Sequence, residues 1–192
     1  MLKVNGLNLP VEISIINQNY MNELLVPHEG EYESYYTGYV NWVIGKDIPT
    51  LLSEQVDEIR KFYEQMGEEK SLLAYETGKW TGKEVLGHII DTDRIMTFRA
   101  LCFARGEKAA LPGFDQDQYV VNADFNNIPL SALLEEFEFS RKALVSLVKN
   151  LPESSYTNIG NANGFRVSVR ALIYIIAGHA QHHINVLKQK YV

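Results

Sequence analysis

Three of the five histidines in this 192-residue chain fall within six residues, Gly178-His179-Ala180-Gln181-His182-His183. In a helix, residues four apart share a face one turn apart, so His179 and His183 lie side by side. Two imidazoles presented in this way are a common means of binding one metal ion. Imidazole nitrogen suits zinc, nickel and iron. Far upstream, His88 sits in another apolar helical segment and would supply a third ligand if the two helices pack together. Three protein ligands with further positions open make a catalytic or binding centre, whereas structural zinc closes with four ligands, often cysteines. Cys102 is the single cysteine, which leaves structural zinc weakly supported and zinc or nickel at a three-histidine site the better expectation.

A plainer reading makes His179 a satisfied core histidine and His182-His183 a polar helix end. Against it, burying several imidazoles without partners costs several kcal/mol on the order-of-magnitude scale for unpaired polar groups, and a metal supplies the partner. His182 is offset from the line of His179 and His183 and reads as a supporting or surface residue, and His28 as a surface one. Asp91, one turn beyond His88, could accept the second ring hydrogen of a ligating histidine or pair with Arg94 or Arg99. The zinc-protease pattern H-E-x-x-H is absent because Ala180 follows His179, so no glutamate is placed there as a general base. Asp115 and Asp117 are the candidates for that catalytic role. No phosphate-binding glycine loop, nucleophile elbow or EF-hand pattern occurs.

Four helical patterns must position these groups. Apolar residues recur at helical spacing from about Thr50 to Met66, with Pro49 at the start and Gly67 at the end. Thr81-Gly82-Lys83-Glu84 has the form of a capping box and opens a second helix running toward Gly106. A third follows Pro129 and closes at Asn150-Leu151-Pro152. The fourth begins around Val167 and carries the histidine cluster through one of the most apolar stretches of the chain. Long helices joined by polar connections predict an all-α helix bundle. Residues 1–48 read as an N-terminal extension packed on a bundle of residues 49–192, with a short helix expected over Asn19 to Leu25 and short helical pieces over Tyr32 to Ile44. The connection from Gly106 to Pro129 exceeds what adjacent helices need and carries Leu111-Pro112-Gly113-Phe114-Asp115-Gln116-Asp117. A second irregular stretch, Asn158 to Gly164, leads into the fourth helix. Long ordered loops at one end of a bundle commonly carry specificity.

Composition narrows the function classes. A formal charge of -6 and the lack of a basic patch argue against a nucleic-acid partner. The longest near-apolar run, Ala171 to Ala177, is far too short to span a bilayer, and Met1 to Gly6 lacks the basic start of a signal peptide. A lone cysteine, read as a small core residue, fits a reducing cytoplasm.

The segment Trp80-Thr81-Gly82-Lys83-Glu84-Val85-Leu86-Gly87-His88-Ile89-Ile90-Asp91-Thr92-Asp93-Arg94 resembles the second-helix motif of the DinB-like superfamily. Phe165 to Arg170, followed by Gly178 to His183, resembles its last helix. Arg105-Gly106 and Leu111 to Asp115 resemble one branch of it, and the likeness covers roughly residues 45–190. The resemblance implies an up-down-down-up four-helix bundle, commonly a homodimer, with a divalent metal held by His88, His179 and His183. It also implies a small-molecule substrate and either hydrolysis or the transfer of a low-molecular-weight thiol. Two other functions fit the same residues: metal-dependent binding or sensing without turnover, and a structural bundle that mainly dimerises.

Overall fold

The computed structural model describes residues 26–191, and the helix expected over Asn19 to Leu25 lies outside them. A short 3-10 turn, Ser34–Tyr36, precedes helix α1, Thr37–Val43. Four long helices follow: α2 (Ile48–Ser71), α3 (Gly82–Ala104), α5 (Leu130–Lys149) and α6 (Val169–Lys190). A short helix, α4 (Gln116–Ala123), lies between α3 and α5, and a hairpin of β1 (Ile159–Ala162) and β2 (Phe165–Ser168) precedes α6.

The helix starts follow from local chemistry. Asp47 accepts a hydrogen bond from the Thr50 amide at the head of α2. Thr81 and Glu84 complete the expected capping box: the Thr81 hydroxyl accepts from the Glu84 amide, and the Glu84 carboxylate from the Thr81 amide. Ser168 caps α6 through the Ala171 amide. The first helical run ends at Gly67, as expected: its φ of 78° and ψ of 168° break the helical backbone, and a further short helical stretch resumes beyond this kink to Ser71.

Two connections hold more structure than the loops expected there. Asp115 caps α4 within the first. In the second, Asn163 and Gly164 take positive φ values of 56° and 84° between the paired residues Ala162 and Phe165, the left-handed pair that a tight hairpin turn requires. Residues 165–168 are therefore strand, and α6 starts at Val169 rather than around Val167.

Helix directions follow from which ends meet. Tyr63, late in α2, donates to the Gly82 carbonyl at the start of α3, so these two run oppositely. The Leu130 amide donates to Glu68 and Lys83 donates to the Ile128 carbonyl, so α5 starts beside α3 and runs with it. Tyr191 donates to the Trp80 carbonyl, so α6 ends where α3 begins. The order is up, down, down, up. In this arrangement α3 packs mainly on α6 and α5, and α2 on α5 and α6. Direct α3–α6 packing is what brings His88 to the histidine cluster.

Asp93, Arg141 and Gln55 cross the bundle interior. Arg141 donates to Asp93 from Nε at 2.5 Å and Nη2 at 3.2 Å, and to Gln55 at 2.8 Å, while Gln55 donates to the Ala177 carbonyl at 2.9 Å. All three side chains are fully buried, so one polar chain ties α2, α3, α5 and α6. Among the described residues no helix is long and apolar enough to cross a membrane.

Helix α1 lies along α6, and Gly178 permits the approach: a Cβ there would sit 2.0 Å from the Tyr39 carbonyl oxygen. Backbone cannot yield as a side-chain end can. Gly178→Ala should therefore cost roughly 1–3 kcal/mol by overpacking. For a chain of this size that is a fall of about 2–12 °C in the thermal midpoint, read by calorimetry.

Candidate metal centre

The cluster is built by two helices. His88 projects from the first half of α3, and His179 and His183 from one face of α6. Nε2 of His179 lies 2.9 Å from Nε2 of His88 and 3.1 Å from Nε2 of His183. The three residues place one ligand nitrogen each within 4.8 Å of one another. His88 and His179 are buried, and His183 is partly so.

The donor set fits a cation. A ring nitrogen carries either one hydrogen or one lone pair, so His179 Nε2 can make only one good hydrogen bond of the two its neighbours invite. Three lone pairs aimed at a common point are instead satisfied together by a positive ion. Nitrogens held about 2.1 Å from one ion sit roughly 3.0–3.4 Å apart at right-angled to tetrahedral geometry, close to the separations observed.

Electrostatics keep the ligands ready. Burial, reinforced by the neighbouring His182, holds the His88 imidazolium pKa down to about 4. Burial, with His88 and His182, holds that of His183 to about 3. His179 is pushed well below the ordinary value by burial and by the histidines around it. The rings are thus neutral where free imidazole would be protonated. Metal retained after dialysis at fixed low free Zn²⁺ should therefore persist to about pH 5, below the pH near 6.5 at which unperturbed imidazoles protonate. The same shifts act on metal-free stability. Between about 6.5 and 4 the unfolded chain takes up protons that the folded chain refuses, so stability falls as pH falls through that window.

A cavity of about 390 Å³ opens over the cluster. Trp80 packs against His88 with ring centroids 4.7 Å apart, and Tyr39 lies 5.5 Å from both His179 and His182. His182 thus lines the cavity beside the cluster but is not among its converging nitrogens. Asp91 forms no hydrogen bond with His88; burial raises its pKa, and the charges that act on it are Arg94 and Glu136. Cys102 is half-buried against the core, and His28 is exposed.

Asp115 and Asp117 are both exposed. One Asp115 oxygen accepts from the amides of Asp117 and Gln118, so this carboxylate holds the start of α4. Gln116, between them, lines the cavity, as does Phe114. The hairpin fixes this segment. Leu111 donates to the Asn161 carbonyl and accepts from the Asn163 amide, each at 2.9 Å, which brings Pro112 to Phe114 beside α3. Sequence reasoning did not single out three cavity residues, Tyr39, Arg99 and Asn163, as site groups. Of these only Asn163 carried a usable signal, because Asn-Gly between short apolar runs marks a hairpin turn.

Fold and site together define a helical-bundle protein with a three-histidine cluster able to coordinate a divalent metal ion. The sequence profile of the DinB superfamily matches residues 51–187, and the chain belongs to that superfamily. Two proteins of Oceanobacillus iheyensis, each named "Putative metal-dependent hydrolase", are similar to it. One is 25% identical over 146 residues, covering 71% of this chain and 83% of the relative. The other is 24% identical over 168 residues, covering 85% and 93%. Among solved structures, YfiT from Bacillus subtilis, described as "a probable metal-dependent hydrolase with an unusual four-helix bundle topology", superposes with a TM-score of 0.68. At 16% identity it covers 85% of this chain and 89% of its own, a likeness of fold.

Proposed function

We propose that the chain is a metal-dependent enzyme acting on a small molecule, with zinc or nickel held by His88, His179 and His183. The observation that carries this is the convergence of three neutral imidazole Nε2 atoms, two on buried rings and one on a partly buried ring, beside an open cavity. The ion, when bound, supplies Lewis acidity, lowering the pKa of a water molecule or a thiol so that either becomes a nucleophile near neutral pH. The chain's own residues supply the rest. Trp80 and Tyr39 wall the site with apolar rings, limiting water around the reacting group. Arg99, Gln116 and Asn163 line the same cavity and offer polar contacts to a substrate. Of the two carboxylates on the α4 segment, Asp115 is committed to capping. Asp117, exposed and next in sequence to the cavity-lining Gln116, is therefore the one we assign a proton-transfer role.

Hydrolysis and thiol transfer use the same ligand set, and an assay separates them. Zinc- or nickel-loaded protein is offered a panel of esters and amides, then bacillithiol with an electrophilic carbon compound. The reading expects turnover of one class, lost on chelation and restored by metal, and a fall of about 10²–10⁴ in kcat for Asp117→Asn, the range for a general acid–base group. Turnover unchanged by chelation would overturn the metal reading, and Asp117→Asn within a few-fold of wild type would remove Asp117 from it. The proposal includes a cytoplasmic location, supported by the single cysteine, and the homodimer that the family resemblance implies.

A further inference from the structure

The cavity is one-sided in charge. The described residues that line it include four histidines and one arginine, and no aspartate or glutamate. The arginine is Arg99, only 4% exposed. Its Nη2 donates to the Pro112 carbonyl at 2.6 Å, its Nη1 lies 3.5 Å from the Met96 sulfur, and its guanidinium sits 5.9 Å from the Phe114 ring centroid. None of these contacts neutralises a charge. Among the described residues Arg99 forms no ion pair with a carboxylate, although Arg60, Arg94, Arg141 and Arg170 each do. Glu33 borders a small neighbouring crevice together with Arg99, yet makes no salt bridge with it. A guanidinium does not deprotonate in proteins, and a buried charge without a counter-ion is costly.

Position makes this more than an isolated anomaly. His88, Thr92, Met96 and Arg99 line the same cavity and are spaced four, four and three residues along α3. Eleven residues turn an α-helix through three revolutions with about 20° left over, so His88 and Arg99 share a face roughly 16 Å apart along the axis. An arginine side chain leans toward the helix N-terminus, here toward His88. The floor of the cavity is therefore a track with the histidine cluster at one end and an unneutralised guanidinium at the other. Thr92 and Met96 lie between them, and the Thr92 hydroxyl has no hydrogen-bond partner among the described residues.

We infer that Arg99 is a specificity-determining residue that binds an oxyanion, carboxylate or phosphate, on the far end of an elongated substrate whose reacting group lies at the histidine cluster. The guanidinium fork matches either oxyanion through paired N–H donors. The substrate is the missing counter-ion. This inference rests on the proposed metal site for the placement of the reacting end, but the Arg99 end is testable separately.

The test is a binding series on the folded full chain. Alkyl hydroxamates, which grip divalent metals, carry at the other end of about four to eight carbons a carboxylate, a phosphate or a neutral alcohol, spanning the helix-rise separation less the reach of the side chains. Calorimetric titration of zinc-loaded wild-type protein should show one of the two anions bound at least tenfold more tightly than the alcohol of equal length. Whichever leads names the oxyanion. Arg99→Met should erase the difference while leaving metal stoichiometry and alcohol affinity within about threefold, and Arg99→Lys should restore part of it. Anions bound no better than the alcohol on the wild type, or an advantage surviving Arg99→Met, would overturn the inference. Failure of the metal reading shows differently, as absence of stoichiometric zinc. In that event alkyl carboxylates and phosphates without the hydroxamate, titrated against metal-free wild type and Arg99→Met by Trp80 fluorescence, still decide the anion site: equal binding by the two proteins overturns it.

Discussion

Replacing His179 with alanine should weaken binding of Zn²⁺ or Ni²⁺ by about 10²–10³-fold, measured by competition against a chromophoric chelator. The magnitude follows from the roughly 10–16 kcal/mol of a four-ligand zinc site, about 2.5–4 kcal/mol for each ligand, at about 1.4 kcal/mol per tenfold. His179 is the sharpest choice because its Nε2 stands between those of His88 and His183. His88→Ala and His183→Ala should follow with losses of similar order. His182→Ala provides the control. Its ring packs on Tyr39 and His183 outside the converging nitrogens, so metal affinity should stay within about threefold. Equal losses for His182 and His179 would show that the histidines act only as a diffuse patch.

The second large effect lies behind the site. Arg141→Met leaves Asp93 fully buried without its cation, and breaking a buried pair on one side costs about 3–5 kcal/mol. In a chain of this size that lowers the thermal midpoint by roughly 6–20 °C. Gln55 also loses its donor, which loosens the link through Ala177 to the α6 segment just before His179. The loss should depend on pH in a definite direction. Burial already raises the Asp93 pKa to about 6 against the pull of Arg141, and without Arg141 it must rise further. The folded variant then favours protonated Asp93, a contribution present at low pH and lost as pH rises through the folded-state pKa. Denaturant titrations should show the deficit of Arg141→Met relative to wild type smaller at pH 5.5 than at pH 8. A deficit that instead shrinks as pH rises would mean that Asp93 is not the group left exposed to the penalty.

These two predictions mark what could be read from sequence and what could not. His179 and His183 share a helix, and four-residue spacing alone set them on one face. His88 needed tertiary information, because nothing local says that α3 packs on α6; the resemblance to a family supplied that packing. The Thr81-Glu84 capping box and Pro129 located helix starts to within a residue because both signals are local, the first a reciprocal pair of side-chain-to-backbone bonds and the second the fixed φ of proline. Gly67 was legible for a related reason, because a glycine at positive φ usually ends a helix; the short helical stretch that resumes beyond it, where the Ser71 region packs against Gly82, was not.

The polar interior was hidden in another way. Asp93 sits beside Arg94 in sequence, but adjacent residues on a helix do not face each other, and nothing local names a partner for it. Its true partner, Arg141, is on a different helix, while Arg94 pairs with Glu136. Arg99 was readable only as a possible partner for Asp91. Its place in the cavity depends on the Pro112 carbonyl, and so on the β-hairpin that holds residues 111–113 beside α3.

The most direct test of the three-histidine centre is X-ray absorption at the metal edge on stoichiometrically loaded protein, with metal content measured on the same sample. One zinc or nickel per chain is expected, with three imidazole nitrogens at about 2.0–2.2 Å, reduced to two in His88→Ala. Metal far below one equivalent after loading, or an ion whose imidazole count is unchanged in His88→Ala, would contradict it.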